Sequence, residues 1–207
     1  MRRTFYLFAV ALLAVALAAC EETEEAGRYD NWRARNDAFI DSLAQVFEQG
    51  TDPTLQRFSL FVNPSGYIYY KAKTPVESEA QNTDPEVYGH RPTYGATVRV
   101  YYKGVNMLGE RFDGFYGDNP NIDSDDKVNV NEGETNPVSF SMSSLATGWQ
   151  EALQRMTVGE RWEVFIPWEY GYGSRDRKDT AGNVTIRAYS TLIFDIQLLD
   201  ADEVAER

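Results

Sequence analysis

Three stretches of strict alternation, far apart in the chain, set the limits on its fold. Thr97 to Lys103 puts Val98, Val100 and Tyr102 on one side, and Arg161 to Ile166 does the same with Trp162, Val164 and Ile166. Thr191 to Leu199 repeats the pattern with Leu192, Phe194, Ile196 and Leu198. Side chains of a strand point to opposite faces in turn, so a period of two predicts antiparallel strands with one dry face and one face toward water. Between the first and second runs, Leu145, Trp149, Ala152, Leu153 and Met156 recur at helical spacing, and Thr147 and Gln150 stand at the spacing of a capping box. One short amphipathic helix against a sheet is an α+β arrangement, and residues 95–200 are enough to bury a core of their own.

Upstream, Trp32, Phe39, Ile40, Leu43, Val46 and Phe47 share one face of a predicted helix over 29–48, which Gly50 and Pro53 stop. Phe58, Leu60 and Val62 alternate, Asn63-Pro64-Ser65-Gly66 reads as a turn, and Tyr67 to Tyr70 resumes, predicting a hairpin. Residues 73–94, punctuated by Pro75, Pro85 and Pro92, read as a connecting loop. The helix stripe says only that one face is covered. Packing onto its own domain, and hence a monomer, is the simpler expectation, with a dimer through this face as the alternative.

The first twenty residues have a different character. Arg2 and Arg3 precede an apolar run from Phe5 to Ala19, fifteen residues that are too few to span a bilayer comfortably and have the build of a secretory signal. Leu17-Ala18-Ala19-Cys20 resembles a bacterial lipobox, in which the cysteine is lipidated and becomes the new N-terminus. The expected organisation is a signal peptide at 1–19, an acidic tether at 20–28, the helix, hairpin and loop at 29–94, the main domain at 95–200 and a tail at 201–207. The resemblance implies a protein held to the outer membrane by lipid on Cys20, facing the periplasm or the cell surface. Glu21-Glu22-Thr23-Glu24-Glu25 is similar to the acidic runs that direct some lipoproteins to the surface.

Charge and composition exclude several chemistries. Lys plus Arg number 20 against 32 Asp plus Glu, a formal net charge of −12, which would not recruit a phosphate backbone, so nucleic acid is not an expected partner. With one cysteine, Cys20, and one histidine, His90, the chain cannot form an intramolecular disulfide and lacks the material for a Cys/His zinc site or a histidine-based triad.

Four segments in order resemble the FKBP-type peptidyl-prolyl cis-trans isomerases. They are Val100-Tyr101-Tyr102-Lys103-Gly104; Arg111-Phe112-Asp113; Gly148 to Leu153 followed by Met156-Thr157-Val158-Gly159-Glu160; and Ile166-Pro167 through Tyr172-Gly173, closing with Ala188 to Asp195. The resemblance covers residues 95–200 and implies a half-wrapped antiparallel sheet around one short helix, with an apolar pocket between them. Carried over by position, Tyr102, Asp113 and Tyr172 are the expected catalytic residues. Phe112, Val138, Phe140, Leu145, Ala146, Trp149, Ile186 and Phe194 would bind the substrate, with Trp149 as the floor for a proline ring. The Tyr172 hydroxyl and the Ala146 N–H would hold substrate carbonyls. The implied activity is isomerisation of Xaa-Pro bonds in exported proteins as they fold, without cofactor or metal. A binding module on the same fold, chaperone-like and without turnover, is the alternative.

The chain departs from the family pattern in four places. Leu145-Ala146 replaces a usual β-branched pair, which predicts a wider pocket, and Val138 stands where an aromatic is common. Ile186-Arg187-Ala188 predicts a charge, Arg187, near the rim. Residues 114–136 form a long polar insertion, in which Asn121, Asp123, Asp125, Asn129 and Glu132 have the spacing of a calcium loop. Position six of that loop is Asp126 rather than glycine and no flanking helices are read, so the insertion is expected to be a solvated acidic flap.

Overall fold

The computed structural model describes residues 27–78, 80–114 and 137–205. The expected signal peptide, Cys20, the acidic run and the calcium-like spacing at 121–132 lie outside the described residues. The chain divides into two compact units, 1–31 and 32–207. In the described part of the first, the Asp30 carboxylate accepts from the Gly27 N–H in a tight turn.

The second unit runs α1 (Trp32–Gln49), β1 (Leu55–Ser59), β2 (Tyr67–Lys73), β3 (Thr97–Asn106), β4 (Arg111–Gly114), β5 (Val138–Ser141), α2 (Thr147–Leu153), β6 (Arg161–Ile166), β7 (Arg177–Lys178), β8 (Val184–Ile186) and β9 (Leu192–Ala201). Among the described residues, seven strands form one antiparallel sheet in the order β1-β2-β6-β9-β3, and the far edge of β3 is divided between two partners. β5 pairs with its first half, Thr97 to Val100, and β4 with its second, Lys103 to Val105. β7 and β8 make a separate hairpin. The predicted α+β, FKBP-like arrangement is therefore present, and the N-terminal hairpin is part of the main sheet, because β2 pairs with β6 from Tyr69↔Phe165 to Lys73↔Arg161.

The inner face of the sheet carries the alternating residues read from the sequence. Val98, Val100, Val164, Ile166, Leu192, Ile196 and Leu198 are fully buried there with Ala152, Leu153 and Met156 of α2 and its exit turn. A side chain added at Gly148 would run into Ile166, so the helix lies close on β6. At about 25 cal/mol per Å² of apolar surface removed from water, this face supplies most of the driving force for folding.

The outer face differs from the expectation of a wet side. β9 is buried on both faces along nearly its whole length. Under α1, Leu55, Tyr69 and Phe165 form a second apolar layer with Phe39, Ile40, Leu43, Val46 and Phe47 of the helix. Beyond α1, Val76 and Ala80 pack on Tyr101 and Leu199, and the Gln81 amide donates to the Leu199 carbonyl at 2.8 Å. Between these covers the buried side chains are polar and paired. The Arg161 guanidinium grips Asp195 with two bonds of 2.8 and 2.7 Å. Gln197 accepts from the Val76 N–H at 2.8 Å and donates to the Val76 carbonyl at 2.7 Å. Asp195 and Gln197 look solvent-facing in the alternation, yet a polar group can be buried when it is fully hydrogen-bonded.

Local chemistry explains the boundaries. α1 ends in a left-handed Gly50 (φ 62°), and the Gly50 and Thr51 N–H groups reach back to the carbonyls of Phe47 and Val46 in a Schellman closure. The first hairpin turns at Asn63–Gly66, where the Gly66 N–H donates to the Asn63 carbonyl at 2.9 Å. β1 is shifted from the expected alternation: it starts at Leu55 and stops at Ser59, leaving Phe61 and Val62 exposed in the loop. The capping box is not formed. Ala146, not Thr147, is the N-cap of α2, so no side chain occupies the capping position, and the Gln150 amide donates instead to the Leu145 carbonyl at 2.8 Å.

Candidate functional site

The aromatic box at the open end of the sheet follows from the pleat. Tyr102 of β3 and Phe194 of β9 point inward, Phe140 enters from β5, and Trp149 rises from the first turn of α2. Trp149 is 4% exposed, and three rings meet its indole nearly at right angles. The centroid distances are 5.0 Å to Phe194, 5.3 Å to Tyr102 and 6.0 Å to Phe140. Edge-to-face contacts of this kind set the positive edge of one ring against the negative face of another, which fixes ring orientation beyond simple burial. Gly104 makes room for the back wall, since a Cβ there would lie 2.6 Å from Phe194 and 2.7 Å from Phe112.

Above Trp149 is a cavity of about 240 Å³ lined by Tyr102, Asp113, Phe140, Ser144, Leu145, Ala146, Trp149, Tyr172, Arg177 and Phe194. Eight of the residues expected at the site thus meet around one space. Phe112, Val138 and Ile186 do not line it: they pack behind, against the core, with Phe112 edge-on to Phe194 at 5.5 Å. Arg187 does not line the cavity; the cation that does is Arg177, which pairs with Ile186 across the β7–β8 hairpin. Sequence reading missed Arg177 and Ser144. The Asp179–Asn183 turn, with Gly182 at positive φ, was the available sign that a hairpin would fold Arg177 back over the pocket.

The polar groups divide into engaged and unengaged. Asp113 is exposed at the mouth rather than buried, yet its Oδ1 accepts from the Tyr102 hydroxyl at 2.9 Å and from the Gly114 N–H at 2.8 Å. Gly114, at φ 115°, lies so close to β3 that a Cβ would sit 2.6 Å from the Tyr102 carbonyl oxygen. Burial first, then the nearby Asp113 charge and hydrogen bond, push the Tyr102 phenol well above the usual tyrosine range, so it stays a protonated donor. Burial also pushes Tyr172 up. The Tyr172 hydroxyl and the Ala146 N–H have no acceptor among the described residues, although both residues line the cavity.

A wider cleft of about 570 Å³ lies between α1 and the turn at Trp168–Tyr170, walled by Tyr67, Tyr69, Trp168, Asp37, Asp41 and Glu169. Its Asp37 is already held by the Trp168 indole N–H at 2.8 Å.

Residues 89–199 match the family model described as FKBP-type peptidyl-prolyl cis-trans isomerase, which is more than half of the chain. The chain belongs to that family. Among curated relatives it is 34% identical over 112 residues to an FKBP-type 22 kDa peptidyl-prolyl cis-trans isomerase of Escherichia coli, covering 54% of this chain and 44% of that protein. It is 33% identical over 117 residues to the outer membrane protein MIP of Legionella longbeachae, covering 56% and 41%. The chain thus spans less than half the length of these two relatives. The FKBP-type isomerase FkpA of Escherichia coli aligns more broadly, at 29% identity over 187 residues, 79% of this chain and 60% of the relative. Among solved structures, a peptidyl-prolyl cis-trans isomerase from Pseudomonas syringae superposes with a TM-score of 0.55 at 22% identity over 84% of this chain and 96% of that one. FkpA superposes at 0.54 and 23% over 99% and 72%. Both likenesses establish the fold.

Proposed function

We propose that this protein is an active peptidyl-prolyl cis-trans isomerase that binds Xaa-Pro segments of exported proteins and accelerates their folding. One observation carries the reading: a buried tryptophan, met by rings on three sides, forms the floor of a cavity lined also by two donors, the Tyr172 hydroxyl and the Ala146 N–H, that have no acceptor among the described residues.

The chemistry asks for no nucleophile. Rotation about the Xaa-Pro bond is slow because twisting the planar amide destroys its resonance, at a barrier of about 18–20 kcal/mol. The twisted amide has less carbonyl polarity than the planar one, so an aromatic pocket disfavours it less than water does. The proline ring would rest on Trp149, flanked by Phe140, Leu145 and Phe194. The Tyr172 hydroxyl would donate to the carbonyl of the residue before proline and the Ala146 N–H to the next carbonyl along, so that the bond turns between fixed points. Asp113 would hold the Tyr102 ring in place as a wall and accept a substrate N–H on its remaining oxygen.

Isomerisation followed by NMR exchange on an Ala-Leu-Pro-Phe peptide tests this. Acceleration is expected from the soluble form beginning after Cys20. Tyr172→Phe should lower kcat/KM about two- to tenfold, the worth of one neutral hydrogen bond, and Asp113→Ala about ten- to a hundredfold. A folded protein that accelerates nothing refutes the reading.

Location belongs to the same proposal. The Leu17-Ala18-Ala19-Cys20 motif supports lipidation of Cys20 and residence in the cell envelope at the outer membrane, on the periplasmic or surface side. A relative named as an outer membrane protein supports it as well. No helix among the described residues is long and apolar enough to cross a membrane. The stripe of α1 packs, partly buried, against its own sheet, which supports a monomer. Labelled palmitate should enter the wild-type chain and not Cys20→Ser.

A further inference from the structure

We propose that Arg177 makes the pocket select for a carboxylate side chain on the residue before proline, so that Glu-Pro and Asp-Pro segments are its preferred substrates. This rests on the isomerase reading of the site and adds the charge class of the substrate to it.

Among the described residues, two that line the cavity carry formal charge, and they are not equivalent. Asp113 already accepts two hydrogen bonds from its own protein. Arg177 has no carboxylate within ion-pair distance among the described residues; its guanidinium lies 4.7 Å from the centroid of the Tyr172 ring, stacked as a cation on an aromatic face. A guanidinium placed over a ring in this way still has N–H groups for a planar acceptor, and the contact restricts its rotamers before any ligand arrives.

The hairpin that carries it is pinned. Arg177 pairs with Ile186 across β7 and β8, and its carbonyl accepts from the Thr185 hydroxyl at 3.2 Å. At the turn, Asp179 accepts from the N–H groups of Ala181 and Asn183 and from the Asn183 amide. At the base, the Asp176 carboxylate accepts from the Ala188 N–H at 2.8 Å. Both hairpin aspartates are therefore engaged with their own loop rather than with Arg177. A substrate whose proline lies on Trp149, and whose preceding carbonyl meets the Tyr172 hydroxyl, must project the preceding side chain beside the Tyr172 ring, where the guanidinium is.

The rest of the molecule pulls the other way. A net charge of −12 sets a general field that favours cationic peptides. A preference for acid before proline would therefore be local to Arg177, and it separates this residue from the field of the surface.

The test compares Ala-Xaa-Pro-Phe peptides with Xaa as Glu, Gln, Lys or Leu, with isomerisation read by NMR exchange so that no protease imposes its own preference. In the wild type, kcat/KM for Glu-Pro is expected about two- to fivefold above Gln-Pro, the range of a partly exposed ion pair, and Lys-Pro should fall below both. The Glu/Gln ratio should drop to one or less in Arg177→Gln, and Lys-Pro should lead in Arg177→Glu. Raising salt to about 0.5 M should shrink the wild-type ratio toward one. Leu-Pro acceleration with equal Glu/Gln ratios in wild type and Arg177→Gln overturns the Arg177 proposal and leaves the isomerase standing. If no peptide is accelerated, the isomerase reading fails, and calorimetric Kd values for the same peptides decide Arg177: tighter Glu binding that vanishes in Arg177→Gln supports it, and equal binding overturns it.

Discussion

The two α-helices among the described residues sit on opposite faces of one sheet and are held there by different means. α2 has seven residues, five of them buried: Gly148, Trp149, Ala152 and Leu153 pack on the dry inner face, and the Glu151 carboxylate accepts from the Phe61 and Val62 N–H groups. α1 has eighteen residues, of which only Trp32 and Asn36 are buried. Its long apolar stripe rests half-exposed on the sheet, and its first turns are fixed by directional bonds. The Trp32 indole donates to the Ser190 hydroxyl at 3.0 Å, and the Asn36 amide oxygen accepts from the Thr191 N–H at 2.7 Å. Length and stripe do not determine how a helix is anchored; the depth at which its few key side chains end does.

If that contrast is right, the inner face should be the more costly to damage. Trp149→Ala removes the largest side chain of the box and should destabilise the protein by about 3–5 kcal/mol in urea unfolding, as large-to-small changes at aromatic core sites do. Asn36→Ala leaves the buried Thr191 N–H without its acceptor and should cost about 1–3 kcal/mol. Equal losses from the two would mean that α1 is as integral to the core as α2.

The smallest effect concerns pH, and the two faces should weaken at opposite ends of the scale. Asp52, on the link from α1 to β1, is held below the ordinary carboxylate range, first by its bond to Lys71 of β2, then by Thr54. A depressed acid contributes stability above its unfolded pKa of about 4, and that contribution is lost as pH falls. Tyr102 and Tyr172 are raised, so their contribution is complete below the ordinary tyrosine value of about 10 and is lost as pH climbs past it. Unfolding midpoints measured across pH should show Asp52→Asn flattening the acid limb alone and Tyr102→Phe the alkaline limb alone.

The same contrast explains what could be read from the sequence. Inner-face strands declare themselves because Leu192, Phe194, Ile196 and Leu198 repeat every second residue. Their outward neighbours Asp195 and Gln197 read as wet, and only partners at Arg161 and Val76, remote in the chain, make them buried. The pocket was legible where a motif fixes an element, as for Tyr102, Asp113, Trp149 and Tyr172. It was not legible where a loop folds back on itself. Arg177 reaches the cavity through a hairpin outside the main sheet, and Phe112, Val138 and Ile186 pack against the core without lining the cavity, although Val138 shares a face of β5 with Phe140.

The centre of the sheet also governs when the pocket can exist. β3 pairs with β9 from Val98↔Ala201 to Asn106↔Leu192, and β2 with β6 at Tyr69↔Phe165. Contacts between residues so distant in sequence require most of the chain to close on itself before they return any energy, and topologies of this kind fold slowly. Phe194, the back wall of the box, follows Tyr102, Phe140 and Trp149 in the chain, so it is synthesised after the other rings of the box and is needed to complete the cavity. Until β9 inserts between β6 and β3, the chain is itself an unfinished protein, and only afterwards could it attend to others.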